Sequence, residues 1–137
     1  MPALQSIVLT DRATPTPVNH TLVPTGAGKG GVGRVAVMDA TGNILSEKAL
    51  TVSGRRTAQR LRSSIKLAVP VIINETINGV SVPKVARVGY ATVEFSFALD
   101  SSEQERNDVV GMLTSAFAVS KPLTHDTVVK GQYVWSV

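Results

Sequence analysis

Residues 87–105 read RVGYATVEFSFALDSSEQE, and a change of pattern inside this stretch decides the fold class. Apolar residues occupy alternate positions from 91 to 99, which predicts a strand with one apolar face. The positions between them carry Tyr90, Thr92, Glu94 and Ser96. Directly afterwards, Ser102 and Glu105 have the spacing of a helix capping box. We therefore expect a half-buried strand followed at once by a helix.

Upstream of this stretch, short β-rich segments alternate with turn signals. The predicted strands span residues 5–10, 18–23, 32–38, 44–52, 61–69 and 85–99. Downstream, the apolar spacing predicts a helix to about residue 119, ended by Lys121-Pro122, and a shorter helix over 123–129. Because the strands come first and the helices last, with short connections, the expected class is α+β with an antiparallel sheet.

Length and composition narrow the range of functions. The chain has 137 residues, 43% of them hydrophobic, which fits one domain with its own core. It has no cysteine, so disulfides and thiolate metal sites are excluded. No apolar run approaches the roughly 18 residues of a membrane span, and we expect no membrane partner.

A polar sheet face is the main functional signal. In the strand over 61–69, Arg62, Ser64 and Lys66 alternate with apolar residues, and Thr51 and Ser53 do the same in the preceding strand. Five basic residues and no acidic residue lie between positions 55 and 66, namely Arg55, Arg56, Arg60, Arg62 and Lys66. Such a face is either simply solvated or suited to RNA, since cations neutralise phosphates and an exposed Tyr90 stacks on unpaired bases.

Other motifs give no catalytic or metal site. Residues 26–31, GAGKGG, match a dinucleotide fingerprint formally, but a strand pattern follows where a helix is required, so we expect an inter-strand loop. His20 and His125 lack partner motifs, and Glu103 with Glu105 is explained by helix capping. We expect no enzyme activity, no metal, no cofactor and no small-molecule substrate.

Three stretches resemble the coat proteins of small single-stranded RNA bacteriophages, the levivirus coat protein family. They are residues 87–97 with the acidic helix start at 101–106, residues 65–70 running through 78–80 to 82–83, and residues 47–53. The resemblance implies a single domain over 1–137. It would comprise an N-terminal β-hairpin (1–24), a five-stranded antiparallel sheet (32–99) and two C-terminal helices (101–130) that interlock with a partner subunit.

The resemblance also implies a function. The chain would form an obligate homodimer, assemble into an icosahedral shell, package genomic single-stranded RNA, and bind an RNA hairpin as a translational repressor. It would occur in the virion, and in the bacterial host cytoplasm before assembly. The alternative is a small cellular β-rich RNA-binding protein that does not assemble.

The resemblance assigns roles to individual residues. Thr51, Ser53, Ser64 and Lys66 resemble a pocket for an unpaired base, with Tyr90 stacking, Thr92 and Glu94 beside it, and Arg55 and Arg62 on phosphates. The family member best known for hairpin recognition has Asn where Thr92 stands.

The resemblance also assigns two sets of residues to contacts between subunits. The implied dimer interface comprises Val109, Val110, Met112, Leu113 and Phe117. Residues 70–83 match a loop whose tips meet around the symmetry axes of the shell, and its marked residues are Pro70, Asn78, Gly79 and Pro83. Read from the residues alone, Asn78-Gly79 is equally a plain hairpin turn.

Overall fold

The computed structural model describes residues 3–27, 31–38 and 46–135. The strands are β1 (Ile7–Thr10), β2 (Asn19–Ala27), β3 (Val32–Ala36), β4 (Ala49–Arg56), β5 (Arg60–Ile77) and β6 (Val80–Ala98). The helices are α1 (Glu103–Ala116) and α2 (Pro122–Val128). The chain divides into two compact units, Met1–Ser96 and Phe97–Val137. The predicted α+β order of strands followed by two helices is confirmed.

The sheet has six strands in the order β1-β2-β3-β4-β5-β6, so each strand lies beside its neighbour in sequence. The pairings from β1 to β5 are antiparallel. One strand, β2, belongs both to the N-terminal hairpin, where Leu22 pairs with Ile7, and to the main sheet, where Val23 pairs with Ala36. The predicted hairpin and the predicted five-stranded sheet therefore share a strand and form one sheet.

The core of the sheet unit forms on the apolar positions of the central strands. Leu22, Val35 and Leu50 are buried, and Leu9, Val37, Ile65 and Leu67 pack against them. Val35, Leu50 and Leu67 lie directly opposite one another across β3, β4 and β5. Since directly opposite residues point to the same side of a sheet, this row fixes which face is apolar.

The predicted loop over residues 70–83 is wrong in its extent. Strand β5 continues to Ile77 and β6 begins at Val80, so only Asn78 and Gly79 form the turn, both with positive φ (51° and 78°). That is the backbone of a two-residue hairpin turn. Lys84 lies 3.7 Å from Glu75, and the two residues belong to the two arms of this hairpin.

Strand interiors disfavour proline, yet Pro70 and Pro83 both lie inside long strands. Pairing of β5 with β4 ends at Ala68, so the missing N–H of Pro70 breaks no hydrogen bond to β4. Pro83 lies in β6, the last strand of the described sheet, where one edge has no neighbouring strand. Both residues are therefore tolerated inside long strands.

The predicted bounds of β4 are also wrong. The strand begins at Ala49, after a short turn at Ser46 and Glu47, whereas positions 44 and 45 lie outside the described residues. It continues through Ser53 and Gly54 to Arg56, because pairing with β5 extends to Arg56 and Leu61. Ser53-Gly54 is a local turn signal, but pairing with β5 keeps both residues in the strand.

The capping box at the start of α1 is confirmed. The Glu105 backbone N–H donates to the Ser102 hydroxyl at 3.2 Å, and the Ser102 N–H donates to the Glu105 carboxylate at 3.3 Å. The helix ends at Ala116, three residues before the predicted end. Its last turn tightens because Phe117 and Ala118 donate to carbonyls three residues earlier, those of Thr114 and Ser115.

Candidate nucleic-acid interface

The register between β4 and β5 brings six of the predicted RNA-binding residues onto one face. Thr51 lies opposite Lys66, Ser53 opposite Ser64 and Arg55 opposite Arg62. These pairs recur every second residue, so all six side chains project from the same side of the sheet. We call this set, with Tyr90, Thr92 and Glu94 of β6, the polar face.

Two hydroxyl groups link the strands at the middle of this row. The Ser53 and Ser64 oxygens are 2.7 Å apart, a hydrogen-bonding distance. This contact fixes two small polar side chains between the larger groups at the ends of the row. Both serines are half-buried in the single chain.

The Arg55 and Arg62 pair concentrates positive charge at one end of the row. Like charges placed directly opposite one another destabilise a sheet unless an anion lies between them. Both side chains are exposed. An arrangement of this kind suits the phosphate of a nucleic acid backbone, since guanidinium groups bind phosphates in two-point contacts.

A shallow depression of about 490 Å³ opens at this end of the polar face. Its lining includes Ser53, Arg55, Arg62, Ser64 and Glu94. Five of the predicted site residues, from three strands, therefore surround one concavity.

Strand β6 is oriented relative to β5 by a contact between Arg60 and Ser96. The Arg60 Nε donates to the Ser96 hydroxyl at 2.6 Å, and its Nη2 donates to the Ser96 carbonyl at 3.0 Å. Arg60 has the parity of Arg62, so Ser96 and the alternate residues before it belong to the polar face. Tyr90 is 79% exposed there, which leaves its ring available for stacking.

The cluster of five basic residues is split by the fold. Arg56 lies opposite Leu61, with the parity of the apolar face, whereas Arg55, Arg60, Arg62 and Lys66 share the parity of the polar face. Counting charges along the chain could not separate them, because the bounds and register of β4 decide the side on which each lies.

Arg34 of β3 extends the polar face and was missed in the sequence, as was the buried Glu47 that pairs with it. Arg34 lies opposite Thr51, so it continues the row of Thr51 and Lys66 onto a third strand. Its guanidinium is 3.5 Å from the carboxylate of Glu47, which is buried. In the sequence, only the alternation of residues 32–36 could have indicated the side of the sheet on which Arg34 lies. That alternation does not show which strand lies next to β3.

The predicted dimer-interface residues lie on α1 or, for Phe117, at its C-terminal cap. Val109, Val110, Met112 and Phe117 are exposed in the single chain and Leu113 is half-buried. No residue of α1 or α2 is buried. Large apolar side chains in this state favour a protein partner over free exposure to water.

Several alternative sites find no support in the described residues. Residues 3–27, 31–38 and 46–135 contain no group of three or more His, Asp or Glu side chains able to hold a metal ion. No helix in the same ranges has the length and apolar character to cross a bilayer. The glycine-rich segment leads into strand β3, not into a helix as a dinucleotide site requires, although positions 28–30 lie outside the described residues.

Comparison with known proteins decides the family. The family model described as levivirus coat protein matches residues 2–135. The chain belongs to the levivirus coat protein family. It is 41% identical to the capsid protein of Pseudomonas phage PRR1 over 133 residues, which cover 96% of this chain and 98% of that protein.

Solved structures agree with this assignment at the level of fold. A virus-like particle of bacteriophage ESE058 matches with a TM-score of 0.82 at 22% identity, covering 98% of this chain and 100% of the other. A structure described as an unassembled virus coat protein dimer and bacteriophage RNA-binding dimer matches with a TM-score of 0.67 at 21% identity, covering 97% and 98%.

Family membership has two direct consequences. This levivirus coat protein is a capsid protein of a bacteriophage and part of the virion, so the alternative of a cellular protein is wrong. As a capsid protein it is a structural component and not an enzyme.

Proposed function

We propose that this coat protein forms an obligate homodimer, that the dimers assemble into an icosahedral shell, and that the shell packages single-stranded RNA against the polar face. The proposal that RNA binds this face is supported by the register of β4 and β5. This register places Thr51 opposite Lys66, Ser53 opposite Ser64 and Arg55 opposite Arg62. Proteins bind single-stranded RNA through hydroxyl groups, cationic side chains and exposed aromatic rings, and this face has all three, with Tyr90 as the aromatic residue.

The roles proposed for the polar-face residues are those that the family resemblance implies, and the chemistry of the side chains is compatible with them. Arg55 and Arg62 contact phosphates, since they form a like-charged pair beside the depression. Tyr90 stacks on an unpaired base, with Thr92 and Glu94 beside it on β6. Thr51, Ser53, Ser64 and Lys66 surround that base and bond to its edge.

The dimer proposal is based on the exposed apolar side chains of the helical unit, Phe97–Val137. Both helices lack buried residues, and α1 exposes apolar side chains that a partner subunit would cover. A match to a protein described as a coat protein dimer supports the same arrangement. The hairpin of β5 and β6 would then contact other dimers through its turn at Asn78 and Gly79 and through the adjoining residues, Pro70 and Pro83 included.

Expression of the protein alone tests assembly and packaging together. Uniform shells in electron micrographs, with an absorbance ratio at 260 and 280 nm typical of nucleic acid, are the expected result. A small species without particles would contradict the assembly proposal. Empty shells would contradict packaging.

Adjacent arginines on opposite faces of β4 provide a matched test of the RNA face. Arg55→Gln is expected to weaken binding to single-stranded RNA. Arg56→Gln removes the same charge from the opposite face of the sheet and is expected to have a smaller effect. The measurement is a filter-binding titration at several salt concentrations. Equal losses in the two variants would show that net charge, and not the polar face, determines binding.

Translational repression follows if the polar face binds one RNA hairpin more tightly than others. Selection from a pool of RNA hairpins with randomised loops is expected to enrich a defined loop sequence. A reporter carrying that hairpin at its start codon should then be repressed when the coat protein is co-expressed. Selection that returns no common loop would contradict this role and leave packaging as the function of the face.

A further inference from the structure

Arg34 has a different environment from the other cations of the polar face. It lies on β3 opposite Thr51, so it shares the row that continues to Lys66 on β5. Its side chain is 33% exposed, whereas the Glu47 carboxylate beside it is only 5% exposed. A buried carboxylate requires a partner, because an isolated charge away from water is strongly destabilising. Within the described residues, Arg34 is the cation that compensates it.

Three contacts hold the guanidinium of Arg34 in place. Its Nη1 donates to the Thr25 hydroxyl at 3.0 Å, and both Nη1 and Nη2 donate to Glu47 Oε2 at 3.5 Å. The Thr25 hydroxyl in turn donates to the Arg34 carbonyl at 3.3 Å. Thr25 of β2 and Glu47, two residues before β4, therefore orient the side chain of Arg34 on β3.

These contacts leave one edge of the guanidinium unused. Arginine has five N–H donors in a planar fork. Nη1 directs its two N–H groups to Thr25 and Glu47, and Nη2 directs one to Glu47. In the described part of the chain, the Nε–H and the second Nη2 N–H contact no acceptor. These two donors are parallel neighbours, and they match a ligand with two adjacent acceptors.

We propose that Arg34 reads an RNA base that has two adjacent acceptors, with Glu47 and Thr25 as positioning residues. This inference rests on the proposed RNA-binding function of the polar face. Guanine offers N7 and O6, and cytosine offers N3 and O2, whereas adenine and uracil have no two acceptors side by side. A phosphate is the weaker candidate, because the Glu47 carboxylate already compensates the charge of Arg34.

The design of the variants follows from the ion pair. Arg34→Gln alone leaves a buried carboxylate without its cation and would destabilise the fold. Arg34→Lys keeps the charge beside Glu47 but removes the paired donors. The double variant R34Q/E47Q replaces the ion pair by two neutral side chains. Both variants remove the proposed contact without an uncompensated charge.

The probes are four RNA 12-mers, namely oligouridine and oligouridine with one central guanosine, cytidine or adenosine. Binding to unassembled full-length protein is measured by fluorescence anisotropy over a range of salt concentrations. The wild type is expected to bind either the guanosine or the cytidine oligomer about tenfold more tightly than the other oligomers, which identifies the base. R34K and R34Q/E47Q are expected to lose this preference and to keep their affinity for oligouridine.

Arg55→Gln is the control that separates this inference from the function on which it rests. It should weaken binding to all four oligomers equally and lower the salt dependence, as loss of a phosphate contact does. If Arg55→Gln has no effect, or no oligomer binds, the proposed RNA face itself is wrong. If Arg55→Gln behaves as expected but the wild type shows no base preference, or R34K retains one, only the role of Arg34 is overturned. Equal losses for all four oligomers in R34Q/E47Q, with affinity retained in R34K, would assign Arg34 to phosphate instead.

Discussion

The two compact units of the chain differ in how they bury apolar side chains. In the sheet unit, Leu22, Val35 and Leu50 form a buried cluster between strands, while the opposite parity carries polar groups. In the helical unit, α1 and α2 contain no buried residue, and Met112 is 74% exposed. The sheet unit has an apolar core of its own, whereas the helical unit, over its described residues 97–135, has well-formed helices but no buried residue.

This difference shows that secondary structure and burial have separate causes. Local hydrogen bonds at Ser102 and Glu105 are enough to start α1. They do not remove apolar side chains from water, which requires a packed surface. In the proposed dimer, a second copy of the chain supplies that surface.

The largest expected effect is on the helical unit. Phe117→Asp places a charge in the proposed dimer interface and is expected to abolish dimers at micromolar concentration, because a buried unpaired charge costs several kcal/mol. Sedimentation velocity measures the result. Asn107→Asp, which adds a charge at an exposed position of α1, is the control. Dimers of normal stability in the Phe117 variant would show that this residue lies outside the interface.

On the sheet unit, Tyr90→Ala is expected to weaken RNA binding and to leave shells intact. Loss of one stacked base costs about 1 to 3 kcal/mol, roughly 5-fold to 150-fold in affinity. A filter-binding titration measures it, with Tyr90→Phe expected to retain most of the affinity. Tyr133→Ala, which removes a 98% exposed ring from the helical unit, is the matched control. Unchanged affinity in Tyr90→Ala would remove this residue from the site.

A smaller effect is expected at the start of α1. Ser102→Ala removes the hydroxyl that accepts from the Glu105 N–H and is expected to lower the free energy of unfolding by about 1 kcal/mol. Chemical denaturation followed by circular dichroism at fixed protein concentration measures it. Ser120→Ala, outside both helices, is the control. No loss in Ser102→Ala would mean that the helix depends on packing alone.

The smallest effect concerns acid stability of the N-terminal hairpin. The backbone N–H of Val18, the imidazole of His20 and the backbone N–H of Ala13 bond to Asp11 and lower its pKa from 3.8 to about 2. A lowered carboxyl pKa stabilises the folded state above pH 3.8, and this stability is lost as the pH falls towards 2. The stability difference between wild type and Asp11→Asn should therefore be constant near neutral pH and shrink below about pH 4. A difference independent of pH in urea titrations would contradict this.

Much of the fold could be predicted because it follows from short-range patterns. Alternation in residues 87–99 predicted β6 and its two faces, and the capping box predicted the first turn of α1. The same alternation placed Thr51, Ser53, Arg62, Ser64 and Lys66 on one side of a sheet. Their roles toward RNA came from the family resemblance and stay predictions.

What the sequence by itself determined is the type and order of the elements, since hydrogen bonds and side-chain alternation act within a few residues. Only the tertiary structure decided where strands end and which strands are neighbours. It extended β5 past Pro70, separated Arg55 from Arg56, and brought Arg34 and Glu47 to the edge of the polar face. These outcomes depend on pairing between segments that are distant in the chain, and no local pattern encodes that pairing.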